Sequence, residues 1–350
     1  MSGITIAADS GEQFEAGAAE YNSIDRLSDD SFVVAYRDGN DYNYGKVNVG
    51  SRTGTSITIN EANAVTFNSD DTDLIMVKMM SSTLIVISYR DVNSGLGYVV
   101  CGTISGLTVT LGTPVSDGNA QITSVSVAVL DGTNFVFSRY YTYGWHFVCS
   151  VSGTTITMGA YQQGQGGSRG KTLGLDGTNF ISVYSNTNFL CQICTVNIGA
   201  KTISFGTQSV MIHGGDIYDG YWAFVDKFDS THVIVGNTSN QNYPSDLIIT
   251  ALAINLTTKV VTVGTTIYAS NSNENNKSQF SLIAINAYSF LLAYYTTTGT
   301  QAEVRSGTLT GDTTIAWDAQ GAQIFDNGTS SYTALCRLTD DYFILGYKSG

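Results

Sequence analysis

SVSVAVLDGTNFVFSRYYTYGWHFVCSVSGTTITMG, from Ser124 to Gly159, decides the fold. It holds an apolar run, an Asp-Gly turn, a second apolar run from Phe135, a Tyr-Gly turn and two more β-rich stretches. Turn formers between short β-branched and aromatic runs predict strand–turn–strand. The Phe135 run recurs as FVVAYR from Phe32, IVISYR from Ile85, FISVYS from Phe180, VIVGNT from Val233, FLLAYY from Phe290 and FILGYK from Phe343. Successive starts lie 53, 50, 45, 53, 57 and 53 residues apart. The mean of about 52 is the scale of one propeller blade.

Working outward, most anchors follow a short apolar run and a polar turn, as in VAVLDGTN, LGLDGTN, DRLSDDS and CRLTDDY. A third strand comes after several anchors: YGKVNV, LGYVVCGTI and YGWHFVCSV. A fourth is TSITI from Thr55, LTVTL from Leu107, TTITM from Thr154, KTISF from Lys201, KVVTV from Lys259 and TTIAW from Thr313. No interval carries a helical period, which argues against βαβ units. The expectation is an all-β, seven-bladed β-propeller filling residues 1–350 as one domain. Anchor strands apolar at nearly every position need both faces covered, and neighbouring blades supply that cover. The fourth anchor position is mostly small (Ala35, Ser88, Ser138, Val183, Gly236, Ala293, Gly346), consistent with a close approach either at the axis or between blades. The seventh anchor stands at the chain's end, and SGITIAADSGEQF near its start is similar to SGTTITMGAYQQG from Ser152. Residues 1–14 are therefore expected to complete the last blade, which removes open edges and leaves one strand missing or supplied by a partner. A β-solenoid is the competitor, but it would need caps of its own.

Composition narrows the function. Net charge is −13, from 16 Lys plus Arg against 29 Asp plus Glu. Phosphate binding needs clustered positive charge, so a nucleic-acid role fits poorly, and anionic lipid repels such a chain. No apolar run approaches the roughly 20 residues that cross a bilayer, and the first residues do not read as a secretory signal. Five cysteines, Cys101, Cys149, Cys191, Cys194 and Cys336, cannot all pair within one chain.

The repeat LDGTNFVFSRYYTYGWHFVCSVSGTTITMG and its sister SDDSFVVAYRDGNDYNYGKVNVGSRTGTSITI carry an Asp-Gly-Thr-x-Phe turn, a Val-Ala-Tyr-Arg-Asp run, an Asn-rich loop, Tyr-Gly and a Ser-Gly-Thr-x-Ile-Thr strand. This pattern resembles a repeat of proteins from marine bacteria and their phages, over the whole chain. The resemblance implies a propeller in a virion surface, tail-fibre or adhesin protein. It brings no catalytic set. The units of Phe180 and Val233 depart from it, lacking Arg-Asp and Tyr-Arg respectively.

Candidate chemistry is sparse. His146, His213 and His232 have no metal-ligand spacing and occupy different repeat positions. Cys191 and Cys194 form a lone CxxC, which reads as two small buried residues in a strand. Asp38, Asn40 and Asp41 lack the register of a calcium loop, as does the copy at Asp91. Acids at Asp29, Asp30, Asp131, Asp176, Asp219, Asp340 and Asp341 read as turn formers. The end of each anchor is more distinctive. Tyr36, Arg37, Tyr89, Arg90, Arg139, Tyr140, Tyr184, Tyr294, Tyr295, Tyr347 and Lys348 are expected in rings near one propeller face. They either pack between blades or meet a glycan or protein edge. Loops NTSNQNYPSD and ASNSNENNKS suit an exposed surface. The resulting expectation is a non-enzymatic virion surface, tail or spike component, at the virion surface, with no cofactor and no metal. Its partners would be other virion proteins and a host-surface glycan or protein. A bacterial adhesin or carbohydrate-binding module is one alternative, and a glycan-processing enzyme, which would use paired carboxylates, is the other.

Overall fold

The computed structural model describes residues 11–120, 122–167, 169–186, 188–212, 223–239, 246–269, 280–296, 301–326, 328 and 331–348. Six antiparallel sheets of four or five strands follow one another along the chain. Blade 1 comprises Ala19–Ser28, Ser31–Asp38, Tyr44–Thr53, Ser56–Ile59 and Val65–Asn68. Blade 2 comprises Thr72–Ser81, Leu84–Asp91, Leu96–Ser105, Thr108–Leu111 and Val115–Ala120. Blade 3 has Ser124–Val129, Asn134–Tyr140, Tyr143–Ser152 and Thr155–Gly166, and blade 4 has Arg169–Gly174, Asn179–Ser185, Phe189–Asn197 and Thr202–Ile212. Blade 5 has Phe224–Lys227, His232–Ser239, Asp246–Asn255 and Val260–Tyr268. Blade 6 has Ser281–Ala284, Ser289–Thr296, Gln301–Leu309, Ile315–Trp317 and Gln323–Asp326. In blades 1, 2 and 6 the fifth strand is the outer strand broken in two, since both pieces pair with the third strand. Blades 3, 4 and 5 keep that strand whole through a bulge at the same place.

The expected count of seven blades is corrected to six. The seventh anchor, Phe343–Lys348, pairs only with Ser331–Arg337 among the described residues, giving a two-stranded ribbon. That ribbon is wedged between blade 6 and blade 1, where Ala334, Cys336, Leu338 and Ile344 pack on Ile24, Phe32 and Val34. The proposed closing strand does not appear in residues 11–14, which are not strand, and residues 1–10 lie outside the described residues. Among the described residues no helix is long and apolar enough to cross a membrane.

Packing explains the repeat. Each apolar cluster lies between two successive units, so anchor strands lose water on both faces. The first anchor residue sits opposite a small residue of the third strand: Phe32 opposite Gly50, Ile85 opposite Gly102, Phe290 opposite Gly307. A Cβ at Gly50 would come within 2.3 Å of the Phe32 ring. Cysteine fills the same position in blades 3 and 4, where Cys149 faces Phe135 and Cys194 faces Phe180. All five cysteines are buried and unbridged, and burial pushes the Cys101, Cys149 and Cys191 thiols up to about 12. The small fourth anchor position makes room for the inner strand of the adjoining unit. A Cβ at Gly236 would meet Phe280 at 2.8 Å, and one at Gly346 would meet Ile24 at 2.6 Å.

Turn chemistry accounts for the Asp-Gly-Thr motif. Asp131 Oδ1 accepts from the backbone N–H groups of Thr133 (2.7 Å) and Asn134 (2.8 Å), and Asp176 repeats this toward Thr178 and Asn179. Burial raises both carboxyls, but these hydrogen bonds outweigh it and hold them below the ordinary range.

Candidate functional site

Innermost strands of neighbouring blades do not pair as a sheet. Side chains join them instead. Ser23 Oγ accepts from Val77 N–H (3.0 Å) and Asp25 Oδ2 from Met79 N–H (2.7 Å). Ser126 Oγ accepts from Thr172 N–H, Asp226 Oδ2 from Ala284 N–H and Ser281 Oγ from Leu335 N–H, each at 2.9 Å. These short polar groups satisfy backbone donors that have no ladder partner, at positions where water is scarce.

The strands so joined enclose an axial cavity of about 130 Å³, lined by residues from all six blades and the ribbon. Its charged groups fall at two levels. Lys78 and Asp226 stand opposite the second residue of their anchors, Val86 and Ile234. Lys171 stands opposite the fourth, Val183. Asp25, beside the cavity, has a carboxylate oxygen 3.9 Å from Lys78 Nζ, and that charge raises the lysine's proton affinity. Lys171 Nζ donates to the Val125 carbonyl at 3.2 Å. Burial, and then the positive charge of Lys78, lower the Lys171 ammonium to about 8. Burial raises the Asp226 carboxyl, against the opposing pull of Lys78. The axis therefore carries a buried amine lowered to about 8, within reach of the Lys78 charge and one level away from Lys78 and Asp226.

The mouth is shaped by bulges. Register shifts interrupt the inner strands of blade 1, blade 2 and the ribbon at one place, between Glu20 and Ser23, Asp73 and Met76, and Ser331 and Ala334. Tyr21, Leu74 and Tyr332 take up the extra residue with φ of 52°, 54° and 54°, a left-handed conformation that costs a non-glycine residue energy. All three line the cavity. The Tyr21 and Tyr332 rings lie 5.1 Å apart, and the Arg37 guanidinium sits 5.0 Å above Tyr21. Asn22 donates from Nδ2 to the Tyr332 carbonyl at 3.1 Å, while its buried Oδ1 has no hydrogen-bond partner among the described residues.

The anchor-end residues expected in rings do gather at the same end of the blades, where the anchor strands finish. The tyrosines turn inward. Tyr36 is buried and donates to Glu15 Oε2 (3.1 Å), Tyr140 bonds Ser182 Oγ (3.0 Å), and Tyr294 donates to Glu303 Oε2 (2.6 Å). Tyr89 packs between Phe67 and Tyr98, Tyr184 accepts from Gln208, and Tyr347 meets Phe325 edge-on. Tyr295 is half-buried at the end of its strand. The cations are ion-paired. Arg37 binds Glu20 and Asp71, Arg90 binds Asp73, Arg139 binds Asp117 and Lys348 binds Glu20. In blades 1 and 2 the acid is the direct cross-strand neighbour, Glu20 of Arg37 and Asp73 of Arg90.

Glu20 thereby ties the chain's two ends. Its Oε1 accepts from Lys348 Nζ at 2.7 Å and its Oε2 from Arg37. Burial raises this carboxyl, but the two cationic partners outweigh it and lower it overall. Its stabilisation is therefore present above the unfolded carboxyl value and lost as pH falls through the folded one. Glu20→Gln is expected to destabilise by about 1–3 kcal/mol, the scale for losing hydrogen bonds to charged groups. Urea unfolding at neutral pH reads this, and an unchanged midpoint would show that the tie contributes nothing.

The other candidates resolve as structure. Asp38 accepts from Asn40 and Asp41 N–H (2.9 and 3.1 Å) and from Lys46 Nζ (2.6 Å), so it closes a turn. His146 is enclosed by Tyr140, Phe180 and Phe205, bonds Ser138 Oγ at 2.8 Å, and is driven by burial down to about 3. His232 bridges Asp229 and Asp312 at the opposite end of its blade. His213, Asp219 and most of the two Asn-rich loops lie outside the described residues. Among the described residues no group of three or more His, Cys, Asp or Glu is arranged to hold a metal ion. A second cavity, about 380 Å³, lies between blade 1 and the ribbon, with Ile24, Phe32, Val34, Ile57, Ile59 and Ile344 among its mostly apolar walls. It is larger than the axial one, and its charged lining residues are Glu12, Glu15 and Lys348.

No family model matches the chain, and no curated protein matches it by sequence. Solved propellers do match its fold. A periplasmic gluconolactonase from Pseudomonas aeruginosa aligns over 94% of this chain and 88% of its own, at 11% identity and a TM-score of 0.58. A candidate 6-phosphogluconolactonase from Bacteroides fragilis aligns over 93% and 86%, at 9% identity and a TM-score of 0.59. Another from Bacteroides uniformis aligns over 93% and 87%, at 9% and 0.56. Identity this low establishes shared architecture and nothing finer. The chain is an all-β propeller. The expectation of a non-enzymatic virion surface or tail component is corrected by these matches, which run through lactonase-type propellers. The virion-surface location is corrected with it, since the Pseudomonas protein that shares the fold is periplasmic.

Proposed function

We propose that the chain is a propeller enzyme that hydrolyses a small sugar-derived lactone in the axial cavity. One observation carries this reading: Lys171, an amine with its proton affinity lowered to about 8, lines the cavity close enough to feel the charge of Lys78. The lactonase-type propellers of matching architecture supply the substrate class.

Neutral Lys171 takes a proton from water. The resulting hydroxide oxygen attacks the lactone carbonyl carbon, and the ring C–O bond breaks as the tetrahedral intermediate collapses. The Lys171 ammonium then returns the proton to the departing alkoxide, leaving an open-chain hydroxy acid. Lys78 offsets the negative charge that develops on the carbonyl oxygen. The test is proton release in a pH-stat with glucono-1,5-lactone and a panel of γ- and δ-aldonolactones. Release above the spontaneous rate is expected for at least one. A rate equal to buffer for all of them overturns the assignment.

A further inference from the structure

We propose that blade 3 carries a second site, an aromatic platform that binds the face of a neutral pyranose in an oligosaccharide. Its two outer strands, Tyr143–Ser152 and Thr155–Gly166, bring Tyr143, Trp145, Tyr161 and Gln163 together, with Trp145 directly across from Gln163. Tyr143 is 42% and Tyr161 53% exposed, unusual for such large rings in one place. The rings meet edge-to-face. Trp145 and Tyr161 centroids are 4.8 Å apart at 68°, and Trp145 and Tyr143 are 6.5 Å apart at 86°. The Arg139 guanidinium lies 5.0 Å from the indole centre, so it props the ring in place. Arg139 is held in turn by Asp117, Nε to Oδ2 at 2.6 Å, and both side chains are about nineteen-twentieths buried.

Charge selects the occupant. The platform's one cation is cancelled by Asp117, so the patch is neutral on a chain of net charge −13. It offers neither the positive field that an anion needs nor the unpaired acids that a cation needs. Apolar ring surface beside the exposed Gln163 amide fits a ligand with a C–H face and a rim of hydroxyls, which is the chemistry of an uncharged pyranose. The residues belong to the third and outer strands, whereas the axial cavity is lined from the inner ones. The proposal is therefore independent of the lactone reading.

Calorimetric titration of the purified chain with cellotetraose, maltotetraose and chitotetraose tests it. At least one should bind saturably. Tyr161→Ala, a change at a half-exposed position that leaves the core intact, should weaken that binding by about tenfold or more. Trp145→Ala should abolish it, and lactone hydrolysis should be the same in both variants as in the parent. Three outcomes overturn the proposal: no binding at millimolar sugar, binding that survives both substitutions, or self-association of the chain that Tyr161→Ala abolishes in place of sugar binding.

Discussion

Lys171→Met is expected to cut lactone turnover by about 10²–10⁴-fold, the usual contribution of a positioned acid–base group. The fold should survive, because methionine matches the unbranched stem and, among the described residues, the bond lost is the 3.2 Å donation to Val125. The parent's rate should rise with pH and level off above about 8, since catalysis needs the unprotonated amine and the group's value is about 8. Lys78 is part of the cause of that low value. Lys78→Met should therefore let Lys171 hold its proton more tightly and move the inflection to higher pH. A Lys171→Met enzyme with full activity, or an inflection that does not shift in Lys78→Met, would remove Lys171 from the mechanism.

The second large effect is on stability. Phe290→Ala should destabilise by about 3–5 kcal/mol, the range for removing a fully buried aromatic side chain. Phe290 is completely buried, with Phe228 6.3 Å and Trp317 5.5 Å away between ring centres. Opposite it, Gly307 has no side chain with which to fill the void, and a Cβ there would lie 2.3 Å from the Phe290 ring. The two positions should couple. Gly307→Ala alone forces ring and strand apart, whereas in the Phe290→Ala background the added methyl enters vacated space. Urea unfolding of the four-member cycle should give the double variant less destabilisation than the two singles combined. Additive effects would show that the cross-strand fit does not set the glycine.

Much of this architecture was legible in the sequence. Phe135 and its six counterparts marked the second strands, Asp131-Gly-Thr-Asn134 marked the turns, and the lone CxxC read as packing, as Cys194 against Phe180 shows. The blade count failed because counting anchors assumes each brings a whole sheet, and among the described residues Phe343–Lys348 brings one partner strand. The axial site was missed for a different reason. An inner strand such as DLIMVKMMS, or AFVDKFD before the fifth anchor, reads as an apolar run interrupted by stray charges. Only closing the ring brings the stray charges of separate repeats to one axis. A charge at the same offset before more than one anchor, Lys78 before Ile85 and Asp226 before Val233, was the available signal. The cross-strand acids Glu20 and Asp73 were equally readable, because hairpin register alone places them beside Arg37 and Arg90.

Joining the inner strands through Ser23, Asp25, Ser126, Asp226 and Ser281 has a consequence for how such rings diversify. A continuous ladder would fix the identity of every neighbour, but a serine or aspartate needs only a backbone N–H at the right height. Duplicating or excising one copy of the repeat would then disturb two junctions and leave the rest as they were. Circumference is set by how wedge-shaped the copies are.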